Sequence, residues 1–170
     1  MNEIREIVTK AVIAKGKKTI TLKEEIIPEF NTYSILGVWI INHQFDVIKQ
    51  NDIVTVDGEF EVNIWYSQDE NTKTNICRKK INYQKNIHTR QIVKDYIENS
   101  DDAIARIKKH PTCIDAKIND NKIILEIELE LVCEVIGETK MQVTVFTEPE
   151  VWDVDDFENE INEDFLTESK

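Results

Sequence analysis

The stretch IILEIELELVCEV, residues 123–135, alternates apolar and acidic side chains almost without interruption. Its apolar positions all share one parity: Ile123, Leu125, Ile127, Leu129, Leu131, Cys133 and Val135. The other parity is mostly acidic, with Glu126, Glu128, Glu130 and Glu134. A period of two places these sets on opposite faces of an extended chain, which is typical of a half-buried antiparallel strand. The stretch therefore predicts a sheet-built domain.

A second alternating stretch, VTVDGEFEVNIWY at residues 54–66, extends the same pattern. The Asp57–Gly58 pair could close a two-residue hairpin, but that turn would set Val56 opposite Glu59 on one face. The apolar parity instead continues from Val54 to Tyr66, which favours a single strand of about 15 residues, roughly 50 Å long. Gly58 is then predicted to mark a bend or a bulge.

The most apolar run, SILGVWIINHQF at residues 34–45, is too short for a membrane helix, which needs about 20 apolar residues. It reads as a strand whose apolar residues fall on both parities, so both of its faces need cover. We expect Trp39 and its neighbours mainly to fill the core of their own domain. The alternative is a subunit contact made by Trp39 and Ile41.

The segment NSDDAIARIKKHP, residues 99–111, predicts one short helix at about 101–109. Ser100 can act as N-cap, acids occupy the first turn, Lys108 and Lys109 the last, and Pro111 follows. Residues 1–14 are ambiguous between helix and strand and are interpreted as an N-terminal assembly segment, with a short helix merging into a strand preferred. The β domain is predicted over residues 15–146.

Charge is concentrated at the C-terminal end of the chain. Residues 1–146 hold 20 Lys/Arg against 23 Asp/Glu, whereas residues 147–170 hold ten acids and one Lys. A nearly neutral body without a basic patch argues against nucleic acid as a partner. Residues 147–170 are predicted to be a disordered acidic tail, and solvating tails are normally poor in aromatics. The large apolar residues in it are interpreted as partner-binding anchors: Trp152, Phe157, Ile161, Phe165 and Leu166.

Catalytic and metal-binding patterns are missing from the sequence. The odd set Cys77, Cys113 and Cys133 lacks the close spacing of a zinc site, and we interpret these as reduced thiols, with an intermolecular disulfide as the alternative. The three histidines are far apart, and neither a G-x-S-x-G motif nor a glycine-rich phosphate loop occurs. The strand glutamates are interpreted as a solvated face paired with bases of the 74–83 segment: Arg78, Lys79 and Lys80. No catalytic residue, cofactor or metal is therefore predicted.

Five blocks of the sequence resemble one known family in order and spacing. They are REIVTKAVIAKGKK (5–18), SILGVWIINHQFD (34–46), VNIWYSQDENTKT (62–74), HPTCIDAKI (110–118) and CEVIGETK (133–140). The chain resembles the outer spore-coat morphogenetic protein CotE family across almost its whole length, although its tail is shorter and less acidic than in the best-known members. The VDGEFEVNIWYS stretch is more distantly similar to a β-rich domain of other spore coat and cortex assembly proteins.

The resemblance implies a non-enzymatic scaffold that is made in the mother-cell cytoplasm, deposited on the forespore and able to multimerise. It also implies recruitment of other coat proteins and docking on inner coat morphogenetic proteins. The N-terminus lacks the apolar core of a secretory signal, which agrees with cytosolic synthesis, and no membrane insertion is expected. The predicted fold class is mainly β, an antiparallel sandwich-like domain. The alternative function is a monomeric module that binds carbohydrate or peptidoglycan through Trp65, and a hydrolase ranks third.

Overall fold

A computed structural model of the chain describes residues 2–97 and 102–146, and these ranges contain seven strands. They are β1 (Asn2–Ile26), β2 (Ser34–Gln50), β3 (Ile53–Gln68), β4 (Lys73–His88), β5 (Arg90–Gln91), β6 (Asp102–Asn119) and β7 (Lys122–Phe146). One sheet has the order β5-β1-β7-β6 and the other the order β2-β3-β4. The chain divides into two compact units, one of residues 8–140 and one that includes residues 2–7 and 141–146. The predicted mainly β fold with antiparallel sheets is confirmed.

The core of the larger unit lies between the inner faces of the two sheets. All seven apolar positions of the 123–135 stretch are at most 1% exposed, because the period of two in β7 turns them to one side. The apolar parity of β3 meets them from the other sheet, with Val54, Val56, Phe60, Val62, Ile64 and Tyr66 all buried. The two alternating stretches thus supply most of the hydrophobic contact between the sheets.

Gly58 lies within an unbroken strand. Its Cα pairs with Phe45 of β2 on one side and with Tyr83 of β4 on the other, so the rejection of an Asp57–Gly58 hairpin is confirmed. A bulge at this position is ruled out, since no register shift occurs at Gly58. A Cβ at Gly58 would overlap the Tyr83 ring, at 2.6 Å from its Cε1 atom. Glycine therefore provides room for an aromatic ring.

Strand β2 contains the register shifts that explain its apolar residues on both parities. One shift lies between Ile35 and Gly37, and the other lies between Ile41 and Gln44, where Asn42 has a φ of 54°. Each extra residue exchanges the inward and outward parities of the strand. As a result, the predicted core position of Trp39 is wrong, because its side chain is 53% exposed on the outer face.

The predicted helix at about 101–109 is also wrong, because residues 102–119 form strand β6. Ala103, Ala105 and Ile107 alternate inward against the core, and β7 supplies the backbone partners. Lys109, assigned by the helix prediction to a favourable last turn, instead donates across the strands to Glu128 at 2.6 Å. Ser100, the predicted N-cap, lies outside the described residues.

The N-terminal stretch, for which helix and strand were both open, is part of β1, so the preferred helical start is wrong.

The edges of the two sheets approach each other on both sides of the larger unit. Strand β2 runs beside β6, and the two line a cavity of about 330 Å³. On the opposite side, Lys18 Nζ of β1 donates to the carbonyl oxygen of Asn86 in β4 at 2.8 Å.

Candidate interaction surface

The outer face of the three-stranded sheet carries an exposed apolar group, here called the tryptophan patch: Trp39, Ile41, Trp65 and Ile76. Pairing register brings these residues together. Trp65 of β3 lies between Gly37 of β2 and Ile76 of β4, and the next row holds Trp39, Asn63 and Arg78. Both tryptophans are more than 40% exposed, at 53% and 41%. A folded domain thus presents two indole rings to its surroundings.

The two indole rings lie against each other edge to face. Their centroids are 6.1 Å apart at an interplanar angle of 73°, the edge-to-face arrangement that aromatic pairs prefer. The Trp39 ring covers Gly37, where a Cβ would lie 2.7 Å from the ring atom Cη2. Because a side chain at position 37 would displace the ring, the glycine shapes the patch.

Two polar residues border the patch. Asn63 and Arg78 line, with the four apolar residues, a shallow cavity of about 280 Å³. The Oδ1 atom of Asn63 is buried and accepts no hydrogen bond within the described part of the chain. Arg78 makes no ion pair with any residue in the described ranges, whereas the neighbouring Lys79 and Lys80 pair with Glu24 and Glu59 at 3.1 and 2.7 Å.

The predicted partners of the β7 glutamates are therefore wrong. Bases from the two strands that flank β7 pair with them instead. Glu134 lies between Lys15 and Arg106 at 3.4 and 3.2 Å, Glu130 contacts Lys17 and Lys108, and Glu128 contacts Lys109. These pairs follow from the sheet order, which places β1 and β6 on either side of β7. They offset the repulsion among three of the four glutamates.

The other end of the outer face is acidic. Asp46, Asp57 and Glu59 line, with three amide side chains, an open groove of about 630 Å³. In residues 2–97 and 102–146, no group of three or more His, Cys, Asp or Glu side chains has an arrangement that could hold a metal ion. With the tryptophan patch at one end and this groove at the other, the outer face has an apolar end and an acidic end.

His43 belongs to an aromatic cluster on the inner side of this sheet. Its Nε2 atom lies 2.7 Å from the Tyr83 hydroxyl, and its ring centroid is 5.5 Å from Phe45 and 6.0 Å from Phe60. Burial lowers the pKa of His43, and the charge of His110 lowers it further. Burial raises the pKa of Tyr83 to about 12. Both groups are thus held in their neutral forms near pH 7.

The three cysteines are free thiols in the described structure. Burial raises the pKa of each, and that of Cys133 reaches about 11. A thiol with a raised pKa is a poor nucleophile and metal ligand at neutral pH. These side chains therefore serve as small apolar groups in and around the core.

Of the residues singled out from the sequence, the structure brings Trp39, Ile41 and Trp65 into one patch. The tail anchors Trp152, Phe157, Ile161, Phe165 and Leu166 lie outside the described residues. Sequence reasoning missed Ile76 as a member of the patch and Arg78 as a residue that borders it. Their shared parity on β4 was readable, but their position beside Trp65 and Asn63 depends on the pairing register.

Comparison with known proteins identifies the family. No helix in the described part of the chain has the length and apolar character needed to cross a membrane. No curated protein and no solved structure matches the chain. The family model described as outer spore coat protein E (CotE) matches residues 3–169. Since that match spans nearly the whole sequence and agrees with the resemblance of the five blocks, the chain belongs to the outer spore coat protein E (CotE) family.

Proposed function

We propose that this outer spore coat protein is a non-enzymatic scaffold that multimerises and recruits other coat proteins. We further propose that it is made in the mother-cell cytoplasm, contacts inner coat morphogenetic proteins and lays down the outer coat on the forespore. Membership of the CotE family supports the coat assignment. The observation that carries multimerisation is the tryptophan patch, where two large aromatic side chains and two isoleucines lie exposed together.

The physical argument rests on the clustering of these side chains. Single exposed apolar residues are ordinary, whereas a contiguous apolar patch on a soluble domain commonly marks a contact surface. Tryptophan and arginine are also enriched among the residues that dominate binding energy. The patch contains two tryptophans, Arg78 borders it, and Gly37 leaves room for the Trp39 ring. A protein contact is therefore the function that this geometry supports best.

Sizing, light scattering and electron microscopy of the purified full chain test the proposal. We expect particles larger than the 19.9 kDa monomer at micromolar concentration. The double variant Trp39→Ser/Trp65→Ser should shift the distribution toward monomer. Ile48→Ser is the matched control, because Ile48 is 52% exposed on the same strand as Trp39 but lies outside the patch. A strictly monomeric wild-type protein would count against multimerisation.

A second candidate function is carbohydrate or peptidoglycan binding through the same tryptophans. The exposed indole of Trp65 favours it, since aromatic rings commonly stack on sugar faces. The two rings meet edge to face at 73°, however, so together they form no continuous flat platform. Glycan binding by the monomer that disappears in a folded Trp65→Ala variant would establish this alternative.

A further inference from the structure

We infer that the tryptophan patch of one copy receives the acidic segment, residues 148–170, of a second copy. The inference rests on the proposed multimerisation and specifies its contact. The patch and the segment are different surfaces, so each copy carries one of each. A contact of this head-to-tail kind links copies into rings or open arrays instead of closing a symmetric dimer.

The size of the patch favours a short segment as its occupant. The exposed parts of its two tryptophans and two isoleucines amount to roughly 400 Å² of side-chain surface. A stable contact between two folded faces buries about 800 Å² on each partner. An extended segment with a few apolar anchors needs only a small groove for each anchor. The cavity of about 280 Å³ between the strands is of that kind.

Charge points to an acidic segment. Arg78 borders the patch and has no carboxylate partner in the described ranges, while ten acids and one Lys fall within residues 147–170. In that segment, Trp152 precedes Asp153 and Phe157 follows Asp156, two of the places where an apolar anchor and a carboxylate are adjacent. An anchor in the cavity would therefore bring a carboxylate to the guanidinium group.

The remainder of the outer face restricts where the acidic segment can lie. The groove at the far end of the sheet is lined by Asp46, Asp57 and Glu59, and Lys80 is already paired with Glu59. Like charges disfavour an acidic segment there. The buried Oδ1 atom of Asn63 in the patch, in contrast, needs a donor that a backbone N–H or the Trp152 indole can supply.

A labelled synthetic peptide of residues 148–170, titrated into full-length protein, tests the inference by fluorescence anisotropy. The receptor has all five of its own tail anchors changed to Ser so that its own segment does not compete. We expect saturable binding that weakens with salt. In the same receptor background, Trp65→Ala should weaken binding at least tenfold, since the peptide can then no longer bury the roughly 100 Å² of exposed Trp65 ring. Ile48→Ala should leave binding unchanged.

Two further variants separate charge from apolar anchoring. Arg78→Glu, at an exposed position, should weaken binding about tenfold and reduce its salt dependence, without loss of secondary structure by circular dichroism. A peptide with its five apolar anchors changed to Ser keeps every charge and should not bind. Equal binding by that peptide, or binding insensitive to both receptor substitutions, would overturn the inference.

The outcomes also separate this inference from the proposed function. If the peptide fails to bind while the wild-type chain still multimerises through the patch, the acidic segment is not the occupant and the scaffold proposal stands. If the chain is monomeric and its patch is shielded from solvent only when residues 148–170 are present, the segment is seated within its own chain. That result also refutes the second-copy contact. A monomeric chain with a freely accessible patch would refute both.

Discussion

The substitution Gly58→Ala should destabilise the fold through a single added methyl group. The new Cβ would meet the Tyr83 ring at 2.6 Å from Cε1. That ring has little room to withdraw, because Tyr83 is 6% exposed, lies 6.1 Å from the Phe60 centroid and contacts His43 Nε2 through its hydroxyl at 2.7 Å. Overpacking of this kind costs about 1–3 kcal/mol.

Two smaller effects act on the same substitution. Alanine gains about 0.5–1 kcal/mol over glycine in an extended strand, and a weakened Tyr83–His43 hydrogen bond costs about 1 kcal/mol. The net expectation is a loss of about 2 kcal/mol in the free energy of unfolding. For a chain of 170 residues, this corresponds to a fall in Tm of about 4–8 °C.

Urea and thermal unfolding, followed by circular dichroism, measure the change. A double-mutant cycle with Tyr83→Val identifies its cause. Removing the ring should abolish most of the penalty of Gly58→Ala, which gives an interaction free energy of about 1 kcal/mol or more between the two positions. A Gly58→Ala protein as stable as wild type, or an equal penalty with Val at position 83, would refute the steric argument.

Three other predictions concern the tail, the pH response and the patch. Deletion of residues 148–170 should leave Tm nearly unchanged while weakening recruitment of coat proteins in a pull-down, and a large fall in Tm would show that these residues belong to the fold. Burial and His110 lower the pKa of His43 in the folded state, so His43 takes up a proton at a higher pH in the unfolded chain than in the folded one. The free energy of unfolding should therefore fall as pH drops below about 6.5. That slope should diminish in His43→Gln when unfolding is measured between pH 7.5 and 5.5, and an identical slope would contradict the assignment. Gly37→Ala should displace the Trp39 ring and reduce multimerisation by sizing, with a change in Tm smaller than that of Gly58→Ala; unaltered assembly would show that the ring position is unimportant.

The strands with a strict period of two could be predicted from the sequence, because burial on one face alone determines their pattern. Strand β6 could not, since Lys108 and Lys109 satisfy a helix C-terminus and cross-strand glutamates equally well. The glutamates that decide between them are about 20 residues away. The partners of these acids likewise depended on strand order, which no local signal specifies.

The patch was only partly predictable for a similar reason. The sequence singled out Trp39 and Trp65 separately, on two strands, with Trp39 expected mainly in the core. The register shifts near Leu36 and Asn42 turn the Trp39 ring outward. In the sequence, the resulting apolar pattern looks the same as that of a strand covered on both faces. Arg78 joins the patch through its pairing with Asn63, which is a tertiary relation.

The approach of the two sheets at both edges has a consequence for how a coat made of this protein would grow. Within residues 8–140, β2 lies beside β6, and Lys18 of β1 reaches the carbonyl oxygen of Asn86 in β4, so a further strand has little room to add at these edges. Fibril-like elongation through main-chain hydrogen bonds is thereby disfavoured. If copies join through the tryptophan patch and the acidic segment as proposed, each unit keeps its own complete sheets, and the coat would separate on dilution into intact folded domains.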